Sequence, residues 1–127
     1  MGGSSDHFPI ISEGGAEEAE FEGLAPGQSD LYDEPASREA DNKPVGLVHL
    51  IARRSKRKSD AVVCRVIFNF DDGANTLSAS GVLPARAGEI VDSGRLAITG
   101  GTGDYAGRQG EVVVEVWNPK RWFLDPP

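Results

Sequence analysis

Histidine and cysteine, the side chains best suited to acid–base, nucleophilic and metal chemistry near neutral pH, are few in this chain and widely scattered. His7 and His49 lie far apart, with no Cys or carboxylate at the spacing of a zinc site, so no metal is expected. The single cysteine, Cys64, falls among valines in the run AVVCRVIFNF, the setting of a packed thiol and not of an activated nucleophile. No G-x-S-x-G elbow occurs. Gly101-x-Gly103 has a dinucleotide-like spacing, but a phosphate loop needs a helix opening directly behind its glycines. Here the β-branched run Glu111-Val112-Val113-Val114-Glu115-Val116 follows, which favours a strand. Chemistry in such a chain would come from shape: apolar walls that hold a reactive substrate in one geometry.

The walls must be carried by strands, and two-residue alternation marks them. In Val45–Arg54 one parity, Gly46, Val48, Leu50 and Ala52, is apolar or small, while the other carries His49 and Arg53. Ala61–Phe70 alternates more strongly, with Val62, Cys64, Val66, Phe68 and Phe70 on one face. Leu77 and Ala79, then Leu96 and Ile98, then Val112, Val114 and Val116 continue the inward set. This lining suits a hydrophobic small molecule. Val48, Leu50, Val66, Phe68, Phe70 and Leu77 are the expected substrate-contacting residues, with Trp117 and Trp122 closing the aromatic end of the chain.

Turn signals separate the strands. Asp-Gly at Asp72-Gly73 is a hairpin signal, Pro84 to Gly88 breaks the chain ahead of Glu89-Ile90-Val91, and GGTGDYAG joins Leu96–Thr99 to the strand from Gly110 to Trp117. The basic run Arg53 to Lys58 reads as a solvated hairpin end, or as a contact for an acidic carrier protein or a phosphate-bearing substrate arm. Upstream the pattern is weaker: Phe8–Ser12, Ala19–Leu24 and Ser29–Asp33 are candidate strands in a segment rich in Glu, Asp, Gly, Pro and Ser. Closely spaced strands of this kind make a sandwich or a barrel. The 127 residues suffice for one domain, read as a tail with its first strand over 1–12 and a β domain over 13–127. Thirteen basic against 20 acidic residues give a net charge of −7, which disfavours nucleic acid or an anionic membrane as partner. No apolar run reaches the ~18 residues of a membrane span. The start lacks the pattern of a secretory signal, and a lone cysteine needs no oxidising compartment, so a cytoplasmic setting is expected.

The stretch LAITGGTGDYAGRQGEV resembles the motif of the allene oxide cyclase-like barrel superfamily, where LAITGG, a further glycine, an aromatic and G-x-x-G-x-V recur in that order. Ala25-Pro26 through Leu31-Tyr32 and Val45-Gly46, and Phe68-x-Phe70 through Leu77–Gly81, are similar to upstream segments of the same family, extending the resemblance over about Leu24–Trp122. The resemblance implies an all-β fold, an eight-stranded antiparallel barrel with a central hydrophobic cavity, no cofactor, and a homodimer or homotrimer. It includes plant allene oxide cyclases, dirigent proteins and bacterial polyketide cyclases. Family positions carry over thinly. Ser29 stands where the cyclases place a water-holding asparagine, Ala52 where they place a pocket cysteine, and Glu13 is nearest to their first-strand acid. Glu13, Ser29 and Tyr32 are the polar groups expected to orient or polarise a substrate carbonyl. The implied activity is cofactor-independent ring closure in a linear polyketide or polyene. The alternatives are a dirigent-like or carrier module that binds without chemistry, and an interaction protein with a filled barrel.

Overall fold

The computed structural model describes residues 10–12, 27–55, 61–86, 89–90, 93–115 and 120–124. These form β1 (Ile10–Ser12), β2 (Ser29–Arg38), β3 (Pro44–Arg54), β4 (Ala61–Phe70), β5 (Asn75–Arg86), β6 (Glu89–Ile90), β7 (Gly94–Thr102), β8 (Glu111–Glu115) and β9 (Lys120–Phe123). The sheet runs β4-β3-β2-β1-β9-β8-β7-β5, and β5 pairs back onto β4, closing an eight-stranded barrel. Every pairing is antiparallel, and β6 is a short addition to the end of β5. The expected barrel is therefore the fold.

Alternation does most of the work. Val48, Leu50, Ala52, Val62, Cys64, Val66, Phe68, Leu77, Ala79, Leu96 and Val112 are wholly shielded from solvent, and Val114 and Phe70 nearly so. Ile98 is half-buried against this core, and Val116 lies outside the described residues. Register places Val48 opposite Phe68 and Phe68 opposite Leu77, so one layer of side chains crosses three strands. Each such side chain contributes about 1.5–3 kcal/mol by leaving water.

The upstream segment is more regular than its composition implied. The short strand expected at Ser29–Asp33 runs on to Arg38, through Pro35, and its inward parity is Tyr32, Glu34 and Ala36. A register shift between Ala36 and Ser37 ends the regular ladder just past the proline. Opposite Ala36, Gly46 has φ +147, and a Cβ there would lie 2.1 Å from the Asn69 carbonyl oxygen, so only glycine fits. β5 likewise continues past the expected break at Pro84 as far as Arg86. The candidate strand Ala19–Leu24 and the basic residues Lys56 to Lys58 lie outside the described residues.

Closure rests on β1, which among the described residues pairs with β2 on one side and β9 on the other through Ile10–Ser12. Two ion pairs span this narrow strand. On the outer face the Arg121 guanidinium donates to both oxygens of Glu39, at 2.8 and 2.6 Å, and to Glu115 at 3.3 Å. Those carboxylates, Glu39 first, hold the guanidinium pKa above its ordinary value. On the inner face Lys120 meets Glu34.

Candidate functional site

At one end of the barrel the turns after β2, β4 and β7 gather around a partly open cavity of about 280 Å³. Its apolar surface comes from Ile10, Pro44, Val45, Phe70 and Leu124, with Tyr105 as the aromatic wall. Asp71, Asn75 and Asp104 form the polar part of the lining. The Phe70 and Tyr105 rings meet at 5.7 Å between centroids with a 43° tilt, a concave aromatic pair suited to a flat guest.

The glycine-rich motif builds that wall. It forms the end of β7, a 3-10 turn over Gly103–Tyr105 and the approach to β8. A Cβ on Gly101 would lie 2.4 Å from the Tyr105 carbonyl oxygen, and one on Gly103, at φ +62, 2.1 Å from Asn75 Oδ1. Glycine thus lets the turn fold back onto its own strand and onto β5. Asn75 then ties two turns together: its Nδ2 donates to Asp71 Oδ2 at 2.6 Å, and its Oδ1 accepts the Asp104 backbone N–H at 2.8 Å. Beside it the Thr76 and Thr102 hydroxyls are 2.7 Å apart. Asp71 and Asp72 both adopt the left-handed conformation, at φ 53 and 55. Aspartate tolerates that region better than most residues, yet a non-glycine residue there costs about 1–2 kcal/mol. The turn that carries Asp71 to the cavity is therefore held by its clamp and not by its own preference.

Below the cavity the barrel is filled. Phe68 stacks 6.3 Å from Phe70 and meets Trp122 edge-on at 5.3 Å and 84°. Behind Trp122 lies a polar chain inside the barrel. The Trp122 indole N–H donates to Ser12 Oγ at 2.8 Å, the Ser12 hydroxyl donates to Glu34 Oε1 at 2.7 Å, and Lys120 Nζ donates to Glu34 Oε2 at 2.9 Å. Glu34 is 0% exposed and the Lys120 side chain 7%. A buried charge pair of this kind persists because each member is costly without the other. Its effect is to fix the Trp122 ring, against which Phe68 packs.

The residues expected to act divide accordingly. Phe70 lines the cavity. Val48, Leu50, Val66, Phe68, Leu77 and Trp122, expected as substrate contacts, are fully buried in the barrel and do not line this cavity, because Phe68 and Trp122 fill the space beneath Phe70. Tyr32 points inward and is buried, whereas Ser29, three residues earlier on the same strand, has the opposite parity and is exposed. The two cannot orient one carbonyl together. Glu13 and Trp117 lie outside the described residues. Cys64 is enclosed as expected, and burial pushes its thiol pKa up to about 12, away from thiolate chemistry. His49 sits on the outer face, its Nδ1 2.6 Å from Asp33 Oδ1 and its Nε2 3.2 Å from Asn69 Nδ2.

Sequence reasoning missed Ser12, Glu34 and Lys120 within the barrel, and Asp71, Asn75, Asp104 and Tyr105 at its mouth. For Glu34 the signal was present: extending the Tyr32 parity through Pro35 puts it inward. For Lys120 the same parity that makes Trp122 inward would have served. The mouth residues lie in turns, where alternation carries no information.

No family model matches the chain, and no curated protein matches it. Among solved structures it is similar to a pyocyanin demethylase, with a TM-score of 0.71 at 21% identity, covering 90% of this chain and 93% of that one. It is also similar to a pterocarpan synthase dirigent protein, with a TM-score of 0.64 at 17% identity, covering 94% and 86%. At these identities the likeness is one of fold: the chain is a closed antiparallel β-barrel of a kind used by both a demethylase and a dirigent protein.

Proposed function

We propose that this protein is a cofactor-independent cyclase that closes a ring in a linear polyketide or polyene by holding its reacting end in the mouth of the barrel. The observation that carries the reading is the cavity of about 280 Å³ walled by Phe70 and Tyr105. That is roughly twice the ~150 Å³ that accommodates one benzene, so a two-ring product or a folded chain of that size fits. Holding two reacting carbons at contact distance supplies up to ~7–11 kcal/mol of a barrier in favourable intramolecular cases, without a nucleophile. The buried Cys64 thiol, which burial keeps protonated, has no part in it. The sequence motif of the allene oxide cyclase-like superfamily supports the same reading, since Gly101, Gly103 and Tyr105 of that motif build the cavity wall. Self-association belongs to the proposal. Leu31, Ile51, Val63 and Val82 are between 37% and 57% exposed on the outer face of β2 to β5, an apolar surface suited to a second copy.

The structural likeness to a dirigent protein favours a second reading, a module that binds a small molecule and leaves the chemistry to another agent. Deleting the gene in its host and comparing metabolites by mass spectrometry separates the two. A cyclase predicts the loss of one product and the accumulation of an isomer of equal mass and different retention, which purified protein converts with many turnovers. Conversion that stops at one molecule per protein moves the function to the binding module. An unchanged metabolite profile with no accumulating isomer refutes the cyclase.

A further inference from the structure

We propose that the cavity selects organic cations, taking a flat apolar body against Phe70 and Tyr105 and a positive charge at the mouth beside Asp71 and Asp104. This rests on the reading that the cavity binds a small molecule, and it adds the charge of that molecule.

The distribution of ion pairs carries the inference. Among the described carboxylates, Asp33, Glu34, Glu39, Asp41, Glu111 and Glu115 each have a basic partner. Asp71 and Asp104, which line the cavity, have none among the described residues, nor has Asp72 beside them; Asp30 on β2, whose Oδ1 accepts the Leu31 N–H, is also without one. Among the described residues no Lys or Arg lines the cavity. The carboxylates at the mouth thus make no ion pair with a described basic residue, not even with Arg108, whose guanidinium lies over the Tyr105 ring, and they sit beside apolar and aromatic surface. Asn75 holds that arrangement in place, gripping the Asp71 carboxylate with its amide nitrogen and the Asp104 backbone with its oxygen. Tyr105 adds a second attraction. The Arg108 guanidinium carbon lies 5.2 Å from its ring centroid, so the ring holds a cation in this setting and a cationic ligand would take the place of Arg108 there. An amine or an N-alkylated heteroaromatic ring satisfies both demands at once, whereas an anionic ligand meets two carboxylates.

Three two-ring probes of similar size test this: N-methylquinolinium as cation, 1-methylnaphthalene as neutral isostere and 1-naphthoate as anion. Binding to the intact protein is followed by NMR shifts of Phe70 and Tyr105. One unit charge at ~4 Å in water corresponds to about a fivefold change in affinity, so N-methylquinolinium should bind at least about fivefold more tightly than 1-methylnaphthalene, and naphthoate weakest. Added salt should narrow the gap. Asp71→Asn and Asp104→Asn should each weaken the cation about fivefold and leave 1-methylnaphthalene within about twofold. Asparagine keeps the shape and accepts the left-handed backbone at position 71, so both variants should melt as the parent does. If 1-methylnaphthalene shifts Phe70 and Tyr105 but binds as tightly as the cation, the charge selection is overturned and the cavity stands as a binding site. If none of the three probes shifts either residue, the cavity reading falls as well.

Discussion

Replacing Lys120 by Met is the sharpest test of how this barrel is held shut. The substitution keeps most of the side-chain bulk but removes the ammonium that donates to Glu34 Oε2 at 2.9 Å. Glu34, with no exposure to solvent, is then left with the Ser12 hydroxyl as its remaining donor in the network. Breaking a buried pair by removing one partner destabilises by about 3–5 kcal/mol, because the surviving charge stays buried. The unfolding entropy is about 2.1 cal/mol/K per residue, or about 0.27 kcal/mol/K over the 127 residues, so the midpoint should fall by about 11–19 °C. Circular dichroism melts at neutral pH read this directly. The paired variant Glu34→Leu with Lys120→Met removes both charges and should recover more than half of the loss, since apolar replacement of a buried pair is often neutral. Full recovery is not expected, because the Ser12 hydroxyl loses its acceptor while still receiving the Trp122 N–H. A loss below about 1 kcal/mol for Lys120→Met, the range of surface pairs, would refute the reasoning, as would a double variant no more stable than the single one.

Further expectations follow from the same geometry. Gly107, at φ +77, has open space where a Cβ would go, while a Cβ on Gly103 meets Asn75 and the Ala74 carbonyl within 2.3 Å. Gly107→Ala should therefore cost only the ~1–2 kcal/mol of its backbone conformation, and Gly103→Ala clearly more, as measured by urea unfolding. Phe70→Ala should weaken ligand binding with a moderate loss of stability, whereas Phe68→Ala, deep in the barrel, should show mainly a loss of about 3–5 kcal/mol. A titration of both variants beside their melts would contradict this placement if Phe68→Ala left stability intact. The raised Cys64 pKa has a signed consequence. Below the ordinary value of 9.0 the thiol is protonated in both folded and unfolded chains, and between 9.0 and about 12 only the unfolded chain loses the proton. Stability should thus fall by about 1.4 kcal/mol per pH unit across that window through this group. Cys64→Ala should remove that contribution, and equal alkaline slopes for the two proteins would count against it.

Much of the barrel was legible because alternation is local. A strand buries every second residue whatever it pairs with, so Val48 to Ala52 and Val62 to Phe70 announce their inner face without knowledge of the partner strands. The glycine motif was legible for a related reason: Gly101 and Gly103 sit where a backbone folds against residues at most a few positions away or at the start of the paired strand. β2 was read short because Pro35 and a high density of acids look like a loop, although the proline lies beside a register shift.

The chain by itself thus determined the strand periods, the inward set and the turn, all of which depend on neighbours in sequence. Tertiary structure alone decided where the interior is filled and where it is open. Trp122 and Ser12 are 110 residues apart and Lys120 and Glu34 are 86 apart, yet they meet because β1 brings β2 and β9 within reach of one another. Asn75 and Asp104 meet across the β5–β7 pairing in the same way. Such contacts exist only once the sheet has closed on itself, and no local period encodes which residues a closed barrel will bring face to face.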